Sequence, residues 1–205
     1  MTQILLILLV TQFFAMMSPG PDMLLVVRNT VGQVGNKVAF YTIIGIGLGL
    51  SVHITLSIAG LAILLTQSDI LYKTVRYIGA AYLAYLGIKS LLSNSKTENQ
   101  VNESVPIKRS VEAFREGLFT NLFNPKVTLY ILSLFTQLID PASPLWHKIT
   151  YGGVLVAEAI IVWLIFSTLV GIPGTRKGGR KWEPWINRLF GLILLGIAFS
   201  VVFVH

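Results

Sequence analysis

The chain alternates long apolar runs with short polar connections, and six runs can be read along it. The first extends from about Thr2 to Val27 and is interrupted at Ser18-Pro19-Gly20-Pro21-Asp22. The second covers about Val38 to Leu65, with His53 as its only titratable side chain apart from tyrosine. A third, about Leu71 to Leu92, has an uncharged centre of only Tyr77 to Ile88, so Lys73, Arg76 and Lys89 must reach back to the interfaces. The polar stretch from Ser93 to Ser110 reads as a mobile loop. The fourth run, about Phe114 to Ile139, is broken at Asn124-Pro125-Lys126, and the fifth, about Ile149 to Val170, carries Glu158 near its middle. The sixth spans about Trp185 to Val204 and is entered through Trp182 and Trp185, suitable interfacial anchors.

Composition turns these runs into membrane spans. Of 205 residues 54% are apolar and 12% charged, whereas a soluble domain carries about 25% charged residues. Six spans of about 20 residues need about 120 residues, which the chain can supply. An ordinary cytosolic domain, a disordered chain and a coiled coil are thereby excluded. The expected fold is an all-α polytopic membrane protein of six helices, with helices 1 and 4 broken. The chain is expected to be one membrane domain over 1–205, with a first repeat of about 1–92, a cytoplasmic loop 93–113 and a second repeat of about 114–205. Met1-Thr2-Gln3 lacks the basic region of a signal peptide, so the first run is expected to be retained.

The net charge of +7 would suggest nucleic acid in a soluble protein. Here the basic residues collect in connections, and no nucleic-acid partner is expected. The loops after runs one, three and five hold twelve Lys and Arg, from Arg28 to Arg188, against three, Lys73, Arg76 and Lys148, after runs two and four. That bias places the first set in the cytoplasm and both termini outside. The absence of cysteine excludes disulfides, thiolate metal sites and Fe–S clusters. The three histidines form no paired motif, no catalytic His-Glu-x-x-His or Gly-x-Ser-x-Gly is present, and Gly178-Gly179 reads as a solvated turn rather than a phosphate loop. No metal, cofactor or enzymatic activity is expected.

The two breaks correspond. Proline removes a backbone donor and clashes with the preceding turn, so Pro19, Gly20 and Pro21 in the first run and Pro125 in the fourth predict discontinuities. Each break carries an ionisable residue directly after a proline, Asp22 and Lys126, of opposite sign. Two three-span halves have opposite topology, and broken helices at matching places in inverted halves point to a transporter's central site.

At these residues the chain resembles a known family. Ser18-Pro19-Gly20-Pro21-Asp22, the segment Gly79-Ala80-Ala81-Tyr82-Leu83-Ala84-Tyr85-Leu86-Gly87-Ile88-Lys89, and Phe114-Arg115-Glu116-Gly117 leading into Asn121-Leu122-Phe123-Asn124-Pro125-Lys126 look like the LysE/RhtB amino-acid exporters. The closing Arg188-Leu189-Phe190-Gly191-Leu192-Ile193-Leu194-Leu195-Gly196 agrees. The resemblance implies export of amino acids or close derivatives across the bacterial inner membrane, driven by an ion gradient. Its partners would be an amino acid, protons and the bilayer, and a homo-oligomer is compatible with it. One departure is Phe135-Thr136-Gln137-Leu138, where many members look to have a proline before a Gln-Phe pair.

The site residues admit two readings each. Asp22 caps a half-helix or couples transport and binds substrate. Lys126 is a structural counter-charge or meets a substrate carboxylate. Asn121 and Asn124 satisfy backbone freed at the kink or bind polar substrate groups. Glu158, costly in lipid, faces the bundle interior, either as a structural hydrogen-bonding group or as a ligand for an ammonium. His53 is packed and hydrogen-bonded or handles protons, and it shares a face with Gly45 and Gly49, where helices can approach closely. The leading function is secondary export of amino acids driven by the proton gradient. The alternative is an exporter or channel for a hard inorganic cation held by carboxylates, and an intramembrane enzyme ranks last.

Overall fold

The computed structural model describes residues 2–31, 37–67, 69–92, 109–172 and 175–203. These form α1 (Thr2–Met17), α2 (Pro21–Val31), α3 (Lys37–Gln67), α4 (Asp69–Leu92), α5 (Ser110–Leu122), α6 (Pro125–Leu138), α7 (Leu145–Gly171) and α8 (Thr175–Phe203). The expected breaks are both present: α1 and α2 divide the first run with a bend of 61°, and α5 and α6 divide the fourth.

Three expectations need correction. The loop expected over 93–113 already gives way to helix at Ser110, because the Glu112 carboxylate accepts from the Arg109 backbone N–H (3.3 Å) and from Arg109 Nε (2.9 Å) and closes the first turn. The rest of that loop, 93–108, lies outside the described residues. Helix α7 starts at Leu145, a turn before Ile149, because Asp140 closes a tight turn by accepting from the N–H groups of Ala142 (2.8 Å) and Ser143 (2.9 Å). Helix α8 runs unbroken through Gly178-Gly179, which is therefore no turn, and through Pro184. A proline within a helix removes one backbone bond and kinks rather than necessarily ending it.

Among the described residues, α3 over Lys37–Leu61 and α7 are long and apolar enough to cross a membrane, and α1 with α2 make a third such span if the bent pair is counted as one. Helix α8 holds a shorter apolar stretch, Pro184–Ser200. Large apolar side chains face outward along these helices, among them Leu6, Leu56 (63% exposed), Ile161, Ile165 and Phe199. Continuous apolar surface of this kind suits lipid rather than water.

Inside, Leu8 of α1, Leu50 and Ile54 of α3, Leu83 of α4, Leu134 and Phe135 of α6, Leu155 of α7 and Leu194 of α8 share one core. A second cluster, Val26, Ile43, Ile46 and Trp163, joins α2, α3 and α7. Helix α3 lies against α5, α6 and α7, α7 also meets α1 and α2, and α4 packs on α6 and α8.

The tightest crossing sets the position of the second break. A Cβ at Gly45 would lie 2.2 Å from the Phe114 carbonyl oxygen, and one at Gly117 would lie 2.1 Å from that of Thr42. The backbones of α3 and α5 therefore touch, as small residues permit. Asn121, one turn beyond Gly117, is fixed against α3 at Gly49. Gly117→Ala is expected to cost about 1–3 kcal/mol through overpacking. Gly153→Ala, where the added Cβ meets nothing within 4 Å, is expected to be neutral or to gain up to about 1 kcal/mol of helix propensity. Thermal unfolding of the detergent-solubilised variants checks both signs.

Candidate functional site

A proline in a helix leaves the carbonyl four residues earlier without its donor. At the first break the carbonyl orphaned by Pro19 is that of Ala15, and at the second the one orphaned by Pro125 is that of Asn121. Side chains from elsewhere supply both missing donors. Lys126 Nζ donates to the Ala15 carbonyl (3.2 Å) and to the Ser18 carbonyl (3.2 Å). The Asn121 carbonyl accepts from the Asn124 N–H (3.0 Å) and from His53 Nε2 (3.1 Å). A carbonyl can only accept, so the His53 proton sits on Nε2 in this contact.

The traffic also runs the other way. Asp22, in the first turn of α2, has its carboxylate held by Asn121 Nδ2 (2.7 Å) and Asn124 Nδ2 (3.4 Å), both from the second break. Its place at a helix N-terminus adds a favourable dipole interaction. Asn124 serves twice, because its Oδ1 also accepts from the Lys126 N–H (3.0 Å) and caps α6. The first break is thus satisfied by residues of the second, and the charge of the first by amides of the second.

The two breaks wall a small cavity of about 60 Å³, below the usual size for a small-ligand pocket, so a ligand of amino-acid size requires it to widen. Asp22, Asn121, Asn124 and Lys126 line it together with Gln12, Tyr130 and the apolar Met16, Met23, Ile46, Leu50, Ile131 and Trp163. Lys126 Nζ stands 5.9 Å from the Phe190 ring centroid. Four of the six expected site residues therefore meet. His53 does not line the cavity but backs Asn121 from α3. Glu158 does not line it either: its neighbour Ala159 does, and the half-buried Glu158 carboxylate keeps one oxygen that finds no hydrogen-bond partner among the described residues.

Two features escaped the sequence reading. Gln12 and Tyr130 belong to the cavity wall; an amide within an apolar run, and a hydroxyl four residues after Lys126 on the same helix face, were the available signals. A second polar cluster lies about two turns from the breaks, where α2 meets α5. Arg28 pairs with Glu116, and Asn29 Nδ2 donates to Glu116 Oε2 (3.1 Å) and Thr42 Oγ1 (2.9 Å), tying α2, α5 and α3. Charges in loop-proximal positions gave no indication that they would pair across the fold.

Residues 13–204 match the family described as LysE type translocator. The leucine efflux protein of Salmonella typhimurium is 32% identical over 195 residues, covering 93% of this chain and 90% of that protein. The uncharacterized membrane protein YrhP of Bacillus subtilis is 29% identical over 187 residues, covering 87% and 88% respectively. The uncharacterized membrane protein YahN of Escherichia coli is 26% identical over 198 residues, covering 96% and 86%. No solved structure matches.

The double duty of Asn124 makes it the most sensitive polar residue of the second break. Asn124→Ala is expected to lower stability by about 0.5–2 kcal/mol through loss of the cap alone, and Asn124→Ser, which retains a capping oxygen, to recover part of that. Melting temperatures of the two variants in one detergent, compared with the parent, test the order.

Proposed function

Because this chain belongs to the LysE type translocator family, a family of transporters rather than enzymes, we propose that it is a secondary exporter of neutral amino acids in the bacterial inner membrane, driven by the proton gradient. The observation that carries this reading is the meeting of Asp22 and Lys126, from two separate helix breaks, on one cavity. An unpaired charge at a helix centre costs about 2.5–3.5 kcal/mol on insertion scales. Two such charges of opposite sign beside an apolar wall offer an ammonium for a substrate carboxylate and a carboxylate for the driving proton. The leucine efflux relatives, 32% identical, support the same substrate class.

In this reading six spans form two inverted repeats, with both termini outside and the 93–113 connection in the cytoplasm. That α7 meets α1 and α2 as α3 meets α5 and α6 is what the repeat requires of these pairs. The substrate carboxylate engages the Lys126 ammonium, drawing it from the Ala15 and Ser18 carbonyls. Asp22 takes up the proton whose return drives the cycle, with Asn121 and Asn124 holding its carboxylate in place. The Arg28–Glu116 pair and Asn29 close the cytoplasmic end while the substrate leaves, and their separation opens it for loading. A fixed ammonium in the cavity opposes the hard-cation alternative, since Lys126 repels any bound metal ion.

The driving force suffices. One charge crossing 100 mV supplies about 2.3 kcal/mol, and a tenfold concentration ratio requires about 1.4 kcal/mol, so one proton sustains about a 40-fold gradient of a neutral zwitterion. In proteoliposomes, movement of labelled leucine against its gradient is expected to require an imposed proton gradient and to collapse with a protonophore. Asp22→Asn is expected to abolish accumulation while leaving equilibrative exchange. Uphill transport without any ion gradient, or normal proton-driven accumulation by Asp22→Asn, would contradict the mechanism.

A further inference from the structure

We propose that Gln12 and Tyr130 recognise the α-ammonium group of the substrate, which makes the site selective for primary α-amino acids with apolar side chains; this assignment rests on the exporter reading above. Gln12 is 3% exposed, and its Nε2 donates to the Leu155 carbonyl at 2.6 Å. That bond fixes the orientation of the amide and leaves Oε1 as an acceptor, yet Oε1 is buried and meets no donor among the described residues. Tyr130 is 5% exposed, and its hydroxyl is likewise buried with no hydrogen-bond partner among the described residues. A buried polar group without a partner is costly, so such groups in a cavity wall call for a ligand that completes them.

Both residues line the cavity that holds Asp22 and Lys126. Tyr130 follows Lys126 by four residues on α6, and Gln12 precedes by three the Ala15 carbonyl that holds the Lys126 ammonium on α1. Each lies about one helical turn, about 5 Å, from the level of Lys126. In an α-amino acid the carboxylate and the ammonium share one carbon. A carboxylate on Lys126 therefore brings the ammonium to the next turn, where Gln12 Oε1 and the Tyr130 hydroxyl oxygen accept its protons. Asp22 is the less available partner, since its carboxylate already accepts from Asn121 and Asn124.

The remainder of the wall sets the side-chain preference. Met16, Met23, Ile46, Leu50, Ile131 and Trp163 form the apolar part of that wall, against which a side chain would lie. Among the described residues the wall holds no charged side chain beyond Asp22 and Lys126, so a charged substrate side chain would lose water without compensation from it. A site built to hydrogen-bond a group rejects analogues that lack it more strongly than a hydrophobic pocket rejects a change of size.

The test is competition against labelled leucine in proteoliposomes, using leucine and isocaproate, which is leucine without its amino group. The parent protein is expected to prefer leucine to isocaproate by at least about 10-fold. Gln12→Met and Tyr130→Phe, close in shape to the originals, are expected each to weaken leucine by about 10-fold while leaving isocaproate unchanged. A merely structural role would weaken both competitors alike. Equal competition by the two compounds in the parent, or undiminished leucine affinity in both variants, would overturn the assignment. Should one variant fail to accumulate in the membrane, the other variant and the parent's preference decide. A parent protein that moves no amino acid under an imposed proton gradient would overturn the exporter reading itself, and this assignment with it.

Discussion

The structure depends on the reciprocal satisfaction of two proline breaks. In an apolar interior a carbonyl without a donor has no water to turn to, and an ion has no counter-charge unless the fold supplies one. Pro19 strips the donor from the Ala15 carbonyl, and Lys126 restores it from the other break; Pro125 does the same to the Asn121 carbonyl, and His53 with Asn124 restores it. Asp22 is in turn held by amides of the second break. The second break caps the first through Lys126 and holds its charge through Asn121 and Asn124, and these contacts bring the two charges to one cavity.

The cross-capping also makes the site movable. A lysine that holds two carbonyls by hydrogen bonds can exchange them for a carboxylate of a ligand, which is the stronger, charge-assisted partner. When it does, the end of α1 loses its cap and the α1–α6 side of the breaks has reason to adjust. On the other side, α2 and α5 are joined by Arg28, Glu116 and Asn29. Helix α5 is seated on α3 through the glycine contact at Gly45 and Gly117, so α5 moves with α3 or not at all. The movable partner at that end is α2, whose link to α1 is the bent segment 18–20.

Much of this was legible in the sequence because proline, charge and apolar run length act locally. The breaks at Pro19-Gly20-Pro21 and Pro125, and the charges Asp22 and Lys126, needed only the position of a donor-less residue in an apolar run. Asn121 and Asn124 could be marked as candidates, but not their bond to Asp22, about a hundred positions away in the chain. Glu158 looked equally promising by the same local rule, yet its helix turns Ala159 and Trp163 to the cavity instead. Gln12 went unmarked because a lone uncharged amide hardly disturbs an apolar pattern. The continuity of α8 through Gly178-Gly179 and Pro184 was hidden because residues that usually stop a helix are there carried by it.

The most direct test of the account asks whether an amino acid occupies the space between the two breaks. The protein has no cysteine, so a single Met23→Cys variant in the cavity wall offers one thiol to a water-soluble alkylating reagent, with Ala142→Cys in the exposed turn before α7 as the reference. The account predicts that leucine slows alkylation at position 23 in a saturable manner and leaves position 142 unaffected. Alkylation at position 23 that is indifferent to leucine and to other neutral amino acids, in protein that transports them, would contradict it.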